Sequence, residues 1–114
     1  MLTIKQKGLL LYIVDHCKRI ETKTEGLVYE EFLENEDAQD VICFNMLQIG
    51  ELAGKFDDEF IKKHKDAPWI AIKGMRNRIV HAYGTIQKDK VWATAIQDIE
   101  ELRNYCEQIL NENQ

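Results

Sequence analysis

The chain has 114 residues, of which 45% are hydrophobic, and its formal net charge is −5. This length and composition are typical of a globular protein with a hydrophobic core, and we expect one domain spanning residues 1–114. With one proline, six glycines and no sustained alternation of apolar and polar residues, the sequence gives strands little support and predicts an all-α fold.

The first predicted helix runs from about Thr3 to Ile20, because apolar residues recur there at helical spacing and basic residues lie near its carboxyl end. Charged residues interrupt its short apolar run, and no cleavage pattern follows. We therefore expect neither a signal peptide nor a membrane span. Gly26 ends this region, and a shorter helix is predicted from Leu27 to Leu33.

The strongest helical pattern runs from Asp37 to Phe56 and has acidic residues, Asp37 or Asp40, in its first turn. Its apolar residues cover more than one face, so several neighbours must bury it, and part of its surface is predicted to lie in an oligomer interface. Gly50 and Gly54 each weaken this helix by about 1 kcal/mol relative to alanine. Close approach of another helix, within the chain or across a dimer, would compensate. A locally weak helix is the alternative.

The carboxyl-terminal part of the chain predicts a short basic helix within residues 56–67 and a longer one from Pro68 to Ala82. Proline is tolerated at a first helical position, because its missing N–H would have no partner there. A loop then leads to a last helix from Lys90 to Leu110, with Asp89 as the candidate N-cap. These patterns predict a bundle of four main helices and one or two short ones.

The three cysteines, Cys17, Cys43 and Cys106, each lie inside an apolar helical pattern, and no CxxC or Cys/His spacing suggests a metal site. An odd number of cysteines without such spacing predicts reduced, buried thiols. This usage is typical of a cytoplasmic protein.

The charge is unevenly distributed along the chain. Residues 60–90 contain eight basic and two acidic residues, a local charge of +6, which leaves −11 for the remainder. A basic segment in an acidic protein can steer a polyanion to one place. A solvated basic face is the other explanation for such a run.

The candidate site is the sequence GMRNRIVHAYG, residues 74–84, which places several polar side chains in an apolar helical pattern. On an ideal helix Asn77 and His81 share one face, and Arg76 and Tyr83 lie almost above each other. Arg76 and His81 are separated by about 140° around the helix axis. They can converge on one ligand if the long arginine stem bends around the helix.

These side chains suit phosphodiester cleavage. A guanidinium clamps a phosphate through two hydrogen bonds, and an ordinary imidazole, with a pKa near ~6.5, both accepts and donates a proton near neutral pH. RNA carries its own nucleophile, the 2′-OH, so such a site would need no metal and no cofactor. Helix-capping and ion-pairing roles for the same residues are the simpler alternative.

The motif and the residues around it resemble those of a known family. Residues 76–83, RNRIVHAY, resemble the R-x4-H-x-Y signature of the HepT-like family, a branch of the HEPN superfamily of small all-helical ribonuclease toxins. The resemblance extends to residues 38–56 and 64–75 and to Val91-Trp92, and covers nearly the whole chain from about Asp37. Two departures occur. Family members often carry an arginine near Phe44 or Asn45 and a Val-Asp after the tyrosine, which this chain lacks.

The resemblance implies a homodimer whose two motif helices face one another across a cleft, forming a composite, metal-independent endoribonuclease site. The catalytic residues would be Arg76, which binds the scissile phosphate, and His81, which transfers a proton. Asn77 would orient one of them. Arg78 and Glu51 are possible secondary site residues, and the role of Glu51 could be structural. The remaining histidines are expected to be surface or cap residues: His16 and His64.

The resemblance also implies a toxin–antitoxin pair. The expected partner is an MntA-type minimal nucleotidyltransferase antitoxin, which would neutralise the toxin by transferring AMP to Tyr83. A bulky, anionic AMP group near Arg76 would block the phosphate site. The alternative function is a non-catalytic nucleotide-binding or adaptor subunit that partners a nucleotidyltransferase through the same surface. A purely structural helical dimer is a third possibility.

Overall fold

The computed structural model describes residues 1–81 and 87–113, and over these residues it contains helices and no strand. The all-α prediction is confirmed. In chain order the helices are α1 (Ile4–Thr24), α2 (Tyr29–Glu34), α3 (Glu36–Ala53), α4 (Asp58–Lys63), α5 (Trp69–His81), α6 (Lys88–Ala93) and α7 (Ile99–Glu112), with a π-helical turn, Thr94–Asp98, joining the last two.

Helix α3 packs against both α1 and α5, and α1 also packs against α7. Two contacts give the direction of α5 relative to α3. The ring of Trp69, at the start of α5, lies 5.5 Å from the ring of Phe56, just after α3, and Arg76 lies against Gly50 one to two turns earlier in α3. The two helices are therefore antiparallel, and the carboxyl-terminal turn of α5 runs towards the amino-terminal half of α3.

Side-chain caps fix where three of the helices begin. Thr3 and Gln6 form a capping box at α1, in which each side chain accepts a hydrogen bond from the backbone N–H of the other. Asn35 caps α3 by accepting from the N–H of Ala38, so α3 begins one residue before the predicted Asp37. Asp57 caps α4 in the same way. Each cap satisfies an N–H that the first helical turn leaves without a partner.

The predicted N-cap Asp89 is wrong. The helix begins at Lys88, so Asp89 lies inside the first turn, where its negative charge still complements the helix dipole. The single last helix of the prediction is also divided by the wide turn Thr94–Asp98, in which the N–H of Ile99 donates to the carbonyl of Thr94, five residues earlier. This wider turn keeps residues spaced by four on one face, and Val91, Ala95 and Ile99 are all buried.

One hydrophobic core joins all the long helices, and its fully buried side chains include Leu10, Ile13, Ile20, Phe32, Ile42, Ile49, Ile79, Ile99 and Leu102. The three cysteines are buried and free, as the sequence predicts. Burial raises the pKa of the Cys106 thiol to about 12 and that of Cys43 to about 11, so both are protonated near neutral pH.

None of the helices within residues 1–81 and 87–113 is both long enough and apolar enough to span a lipid bilayer.

Adjacent leucines in α1 give a matched test of this core, because Leu10 is fully buried and Leu11 is 51% exposed. We expect Leu10→Ala to lower the free energy of unfolding by about 2–5 kcal/mol, through lost burial and the cavity left behind. Leu11→Ala should change it by less than about 0.5 kcal/mol. Urea denaturation followed by circular dichroism measures both. Equal effects would mean that α1 presents a different face to the core.

Candidate functional site

Helix α5, which carries the candidate motif, is fixed to the bundle along one side. Its buried residues Trp69, Ile72, Met75 and Ile79 recur at three- and four-residue spacing and pack into the core. The indole N–H of Trp69 donates to the carbonyl of His64 at 2.9 Å, which fixes the start of the helix. These apolar residues therefore anchor the motif helix to the bundle.

Arg76 leaves α5 on the side that faces α3, and its guanidinium is paired with Glu51. Its Nε donates to Glu51 Oε1 at 2.6 Å, and its Nη2 lies 2.5 Å from the same oxygen. The pair is at the surface, because the two side chains are 41% and 54% exposed. The structure thus brings together two of the predicted site residues, one from each helix.

The stem of Arg76 lies directly over Gly50. A Cβ atom built on Gly50 would stand 3.0 Å from both Cβ and Cδ of Arg76, closer than ordinary van der Waals contact. The close approach predicted for this glycine is confirmed, and it occurs within the chain. Gly54 differs. A Cβ there would meet only two carbonyl oxygens of its own helix, at 3.4 and 3.6 Å, so no close helix contact is found there among the described residues.

The other predicted site residues are placed less completely. Asn77 is exposed on α5, directly after Arg76, and His81 is the last residue of the helix. The side chains of Arg78 and His81, and the whole of Tyr83, lie outside the described part of the chain. The predicted convergence of Arg76 and His81 on one ligand therefore stays a prediction, and so does the position of Tyr83 above Arg76.

The surface or cap role expected for His16 is wrong. Its Nδ1 lies 2.8 Å from Oδ1 of Asn45, which is buried on α3, and the Nδ2 group of Asn45 donates to the carbonyl of Val41. Because this fixes the amide with its oxygen towards His16, Nδ1 of the histidine is the donor. The hydrogen bond links α1 to α3. Its partners are 29 residues apart, and the only signal in the sequence was an asparagine inside an apolar helix.

His64 is a cap residue, as expected, and follows the last residue of α4. Its N–H donates to the carbonyl of Phe60, and the two rings lie 4.6 Å apart. Desolvation, and then the nearby positive charge of Lys63, lower the pKa of its imidazole. A neutral histidine packed on an aromatic ring is a structural arrangement, and nothing in it points to proton transfer.

The basic segment of residues 60–90 is displayed at the surface. Lys62, Lys63, Lys65, Lys73 and Lys90 are all exposed. Among the described residues the ion pairs involve Arg19, Arg76 and Arg103, and none involves a lysine of this segment. The charge of these exposed lysines is available to a polyanion, and one of them, Lys73, lies on the motif helix itself.

Comparison with known proteins agrees with the motif and the fold. Residues 13–109 match the family described as HepT-like, or Ribonuclease HepT-like. A protein of Caldanaerobacter subterraneus subsp. tengcongensis, named as a candidate RNase, is 28% identical over 101 residues, which cover 89% of this chain and 90% of that protein. A protein of Thermococcus cleftensis, named as a candidate ribonuclease HepT, is 27% identical over 103 residues, covering 90% and 94%.

A third relative, from Methanocaldococcus jannaschii and also named as a candidate RNase, is 25% identical over 112 residues, covering 95% of this chain and 93% of that protein. No solved structure gives a significant match. The family match covers α3 and α5 completely and α7 as far as Ile109, together with the segment that carries Arg76 and His81. The resemblance read from the sequence is confirmed at the level of the family, and the chain belongs to the HepT-like ribonucleases.

Proposed function

We propose that this protein is the toxin of a toxin–antitoxin pair and acts as a metal-independent endoribonuclease. The observation that carries the proposal is the position of Arg76 in a chain of the HepT-like family. Its guanidinium is fixed at the surface by α3 and α5, half exposed, five residues before the histidine of the family signature. A planar cation in this position can bind a phosphate of an RNA chain.

The reaction needs one proton acceptor and one proton donor. In the proposed mechanism the 2′-OH of the RNA attacks the adjacent phosphorus, and the bond from phosphorus to the 5′-oxygen of the next nucleotide breaks. The products are a 2′,3′-cyclic phosphate and a free 5′-OH. The 2′-OH loses its proton to a base and the leaving 5′-oxygen takes one from an acid. His81 acts at one of these oxygens and water at the other. Arg76 stabilises the charge that develops on the phosphate, and Asn77, exposed beside it, orients either group.

The first test is cleavage of total RNA in the presence of a metal chelator. We expect the wild-type protein to release fragments and His81→Ala to reduce the rate at least about 100-fold, because general acid–base catalysis contributes 10²-fold or more. Arg76→Ala should cause a comparable loss. The matched control is His64→Ala, because the imidazole of His64 packs on the ring of Phe60, and this variant should stay active.

Equal cleavage by the wild type and His81→Ala would contradict the catalytic assignment. A wild-type protein that binds a nucleotidyltransferase or a nucleotide tightly, yet never cleaves RNA, would instead support the adaptor function.

We also propose that the active form is a homodimer. The support is an exposed apolar pair on α3, where Val41 is 36% exposed and Phe44 is 56% exposed, one turn apart. Apolar side chains that adjoin one another at the surface can form part of a larger interaction surface. A two-fold dimer would bury this patch against its own copy and bring two motif helices to one cleft.

The dimer is tested by placing a charge in the patch. Phe44→Asp should shift the protein from dimer to monomer, because a buried carboxylate without a partner opposes association. It should lower RNA cleavage in proportion to the lost dimer. Leu11→Asp, at a 51% exposed position on α1, is the matched control and should remain dimeric. Sedimentation velocity at several concentrations measures the distribution, and a dimeric Phe44→Asp would place the interface elsewhere.

We propose, thirdly, that an MntA-type nucleotidyltransferase is the antitoxin and Tyr83 its acceptor. In that step the phenol oxygen of Tyr83 attacks the α-phosphorus of ATP, pyrophosphate leaves, and the phenol proton passes to a base. The product carries a phosphodiester anion seven residues from Arg76, where it would compete with RNA for the guanidinium. RNA cleavage would fall as the modified fraction rises.

Intact mass spectrometry tests this step. After incubation with the nucleotidyltransferase and ATP, the wild type should gain one AMP per chain and lose RNA cleavage, whereas Tyr83→Phe should gain none. Tyr12→Phe is the control, because Tyr12 is 64% exposed on α1 and any unspecific transfer would include it. Modification that persists in Tyr83→Phe would exclude Tyr83 as the acceptor.

A further inference from the structure

The contact between Arg76 and Glu51 has a specific geometry, and it bears on how the proposed phosphate site is built. We infer that Glu51 is a positioning residue: it holds the guanidinium of Arg76 along one edge and directs its other edge towards the phosphate of an RNA chain. The inference rests on the proposed function, because it concerns the same phosphate site.

The N–H groups of the Arg76 guanidinium are divided between Glu51 and the phosphate. An arginine side chain has five N–H groups, one on Nε and two on each terminal nitrogen. Glu51 Oε1 lies 2.6 Å from Nε and 2.5 Å from Nη2, so one oxygen accepts along the edge formed by these two nitrogens. Three N–H groups remain, two on Nη1 and one on Nη2. They include the parallel pair at the end of the side chain that binds a phosphate through two hydrogen bonds.

The stem of Arg76 is fixed as well as its head. Gly50 gives the stem a surface without a side chain, with Cβ and Cδ of Arg76 both 3.0 Å from where a Cβ of residue 50 would stand. Glu51, the next residue, then contacts the guanidinium. Consecutive residues of α3 thus hold the arginine at two points along its length, and fewer of its rotamers are left to be lost when a phosphate binds.

The negative charge of Glu51 opposes phosphate binding, because a carboxylate repels a phosphate. Both side chains are about half exposed, and water and salt screen such interactions strongly. Glu51 accepts along one edge of the guanidinium and the phosphate would accept along the other. The two therefore do not compete for the same N–H groups. Positioning therefore predicts that loss of Glu51 weakens RNA binding, whereas competition predicts that it strengthens binding.

The test is a double-mutant cycle between Glu51 and Arg76, measured as the Kd of a fluorescent RNA oligonucleotide. All variants carry His81→Ala, so that the RNA stays intact during the titration. We expect Glu51→Gln to weaken binding and Glu51→Ala to weaken it further, by about three- to tenfold, the effect of one ordered side chain. With Arg76→Ala also present, neither change at Glu51 should weaken binding any more.

Glu101→Gln is the matched control, because Glu101 is exposed on α7, has no ion pair among the described residues, and removes the same single negative charge. Glu101→Gln should leave the Kd of the RNA oligonucleotide unchanged or lower it slightly. Circular dichroism melting of each variant verifies that the fold is intact.

Tighter binding by Glu51→Gln would show competition and overturn the inference. An unchanged Kd would overturn it as well, and so would an equal loss in the presence and absence of Arg76, since Glu51 would then act through another group. Cleavage is scored separately on the protein with His81 restored. A chain that shows the coupling but never cleaves RNA overturns the proposed function and leaves the positioning role intact.

Discussion

The burial of α3 is the constraint on which the rest of the structure depends. This helix contacts α1 along one side and α5 along another, so it lies at the centre of the bundle although it is only 18 residues long. Its apolar residues meet both neighbours, and its one buried asparagine is satisfied by His16 of α1. A helix held on two sides is a rigid support. Arg76 is positioned by this support rather than by its own helix alone.

Much of the fold follows from the sequence because its signals are local. Caps, glycines and apolar spacing act within one or two helical turns, and they predicted the four long helical segments to within a few residues. One of the errors was local as well. Asp89 was favoured as a cap because aspartate is a good cap in general, whereas the helix starts one residue earlier. The wide turn at Thr94–Asp98 leaves no such signal, because it depends on what the buried residues contact.

The candidate site is less predictable, because it depends on contacts between distant segments. The sequence identified Arg76 and Glu51 separately, through a family resemblance, and suggested close packing at Gly50. That the three form one unit follows only from the antiparallel packing of α3 on α5. The pair His16 and Asn45 was missed for the same reason. No spacing rule links two residues that meet across helices α1 and α3.

The π-helical turn between α6 and α7 has a consequence for how such chains diverge. It takes in one residue more than an α-helical turn of the same rise, so a deletion within Thr94–Asp98 would convert the segment to regular helix. The residues after it would keep their facing, because the deletion removes the one residue that the wide turn adds. Leu102 and Cys106, both fully buried, would stay in the core. A relative that is one residue shorter here can therefore carry the same apolar stripe along an uninterrupted last helix.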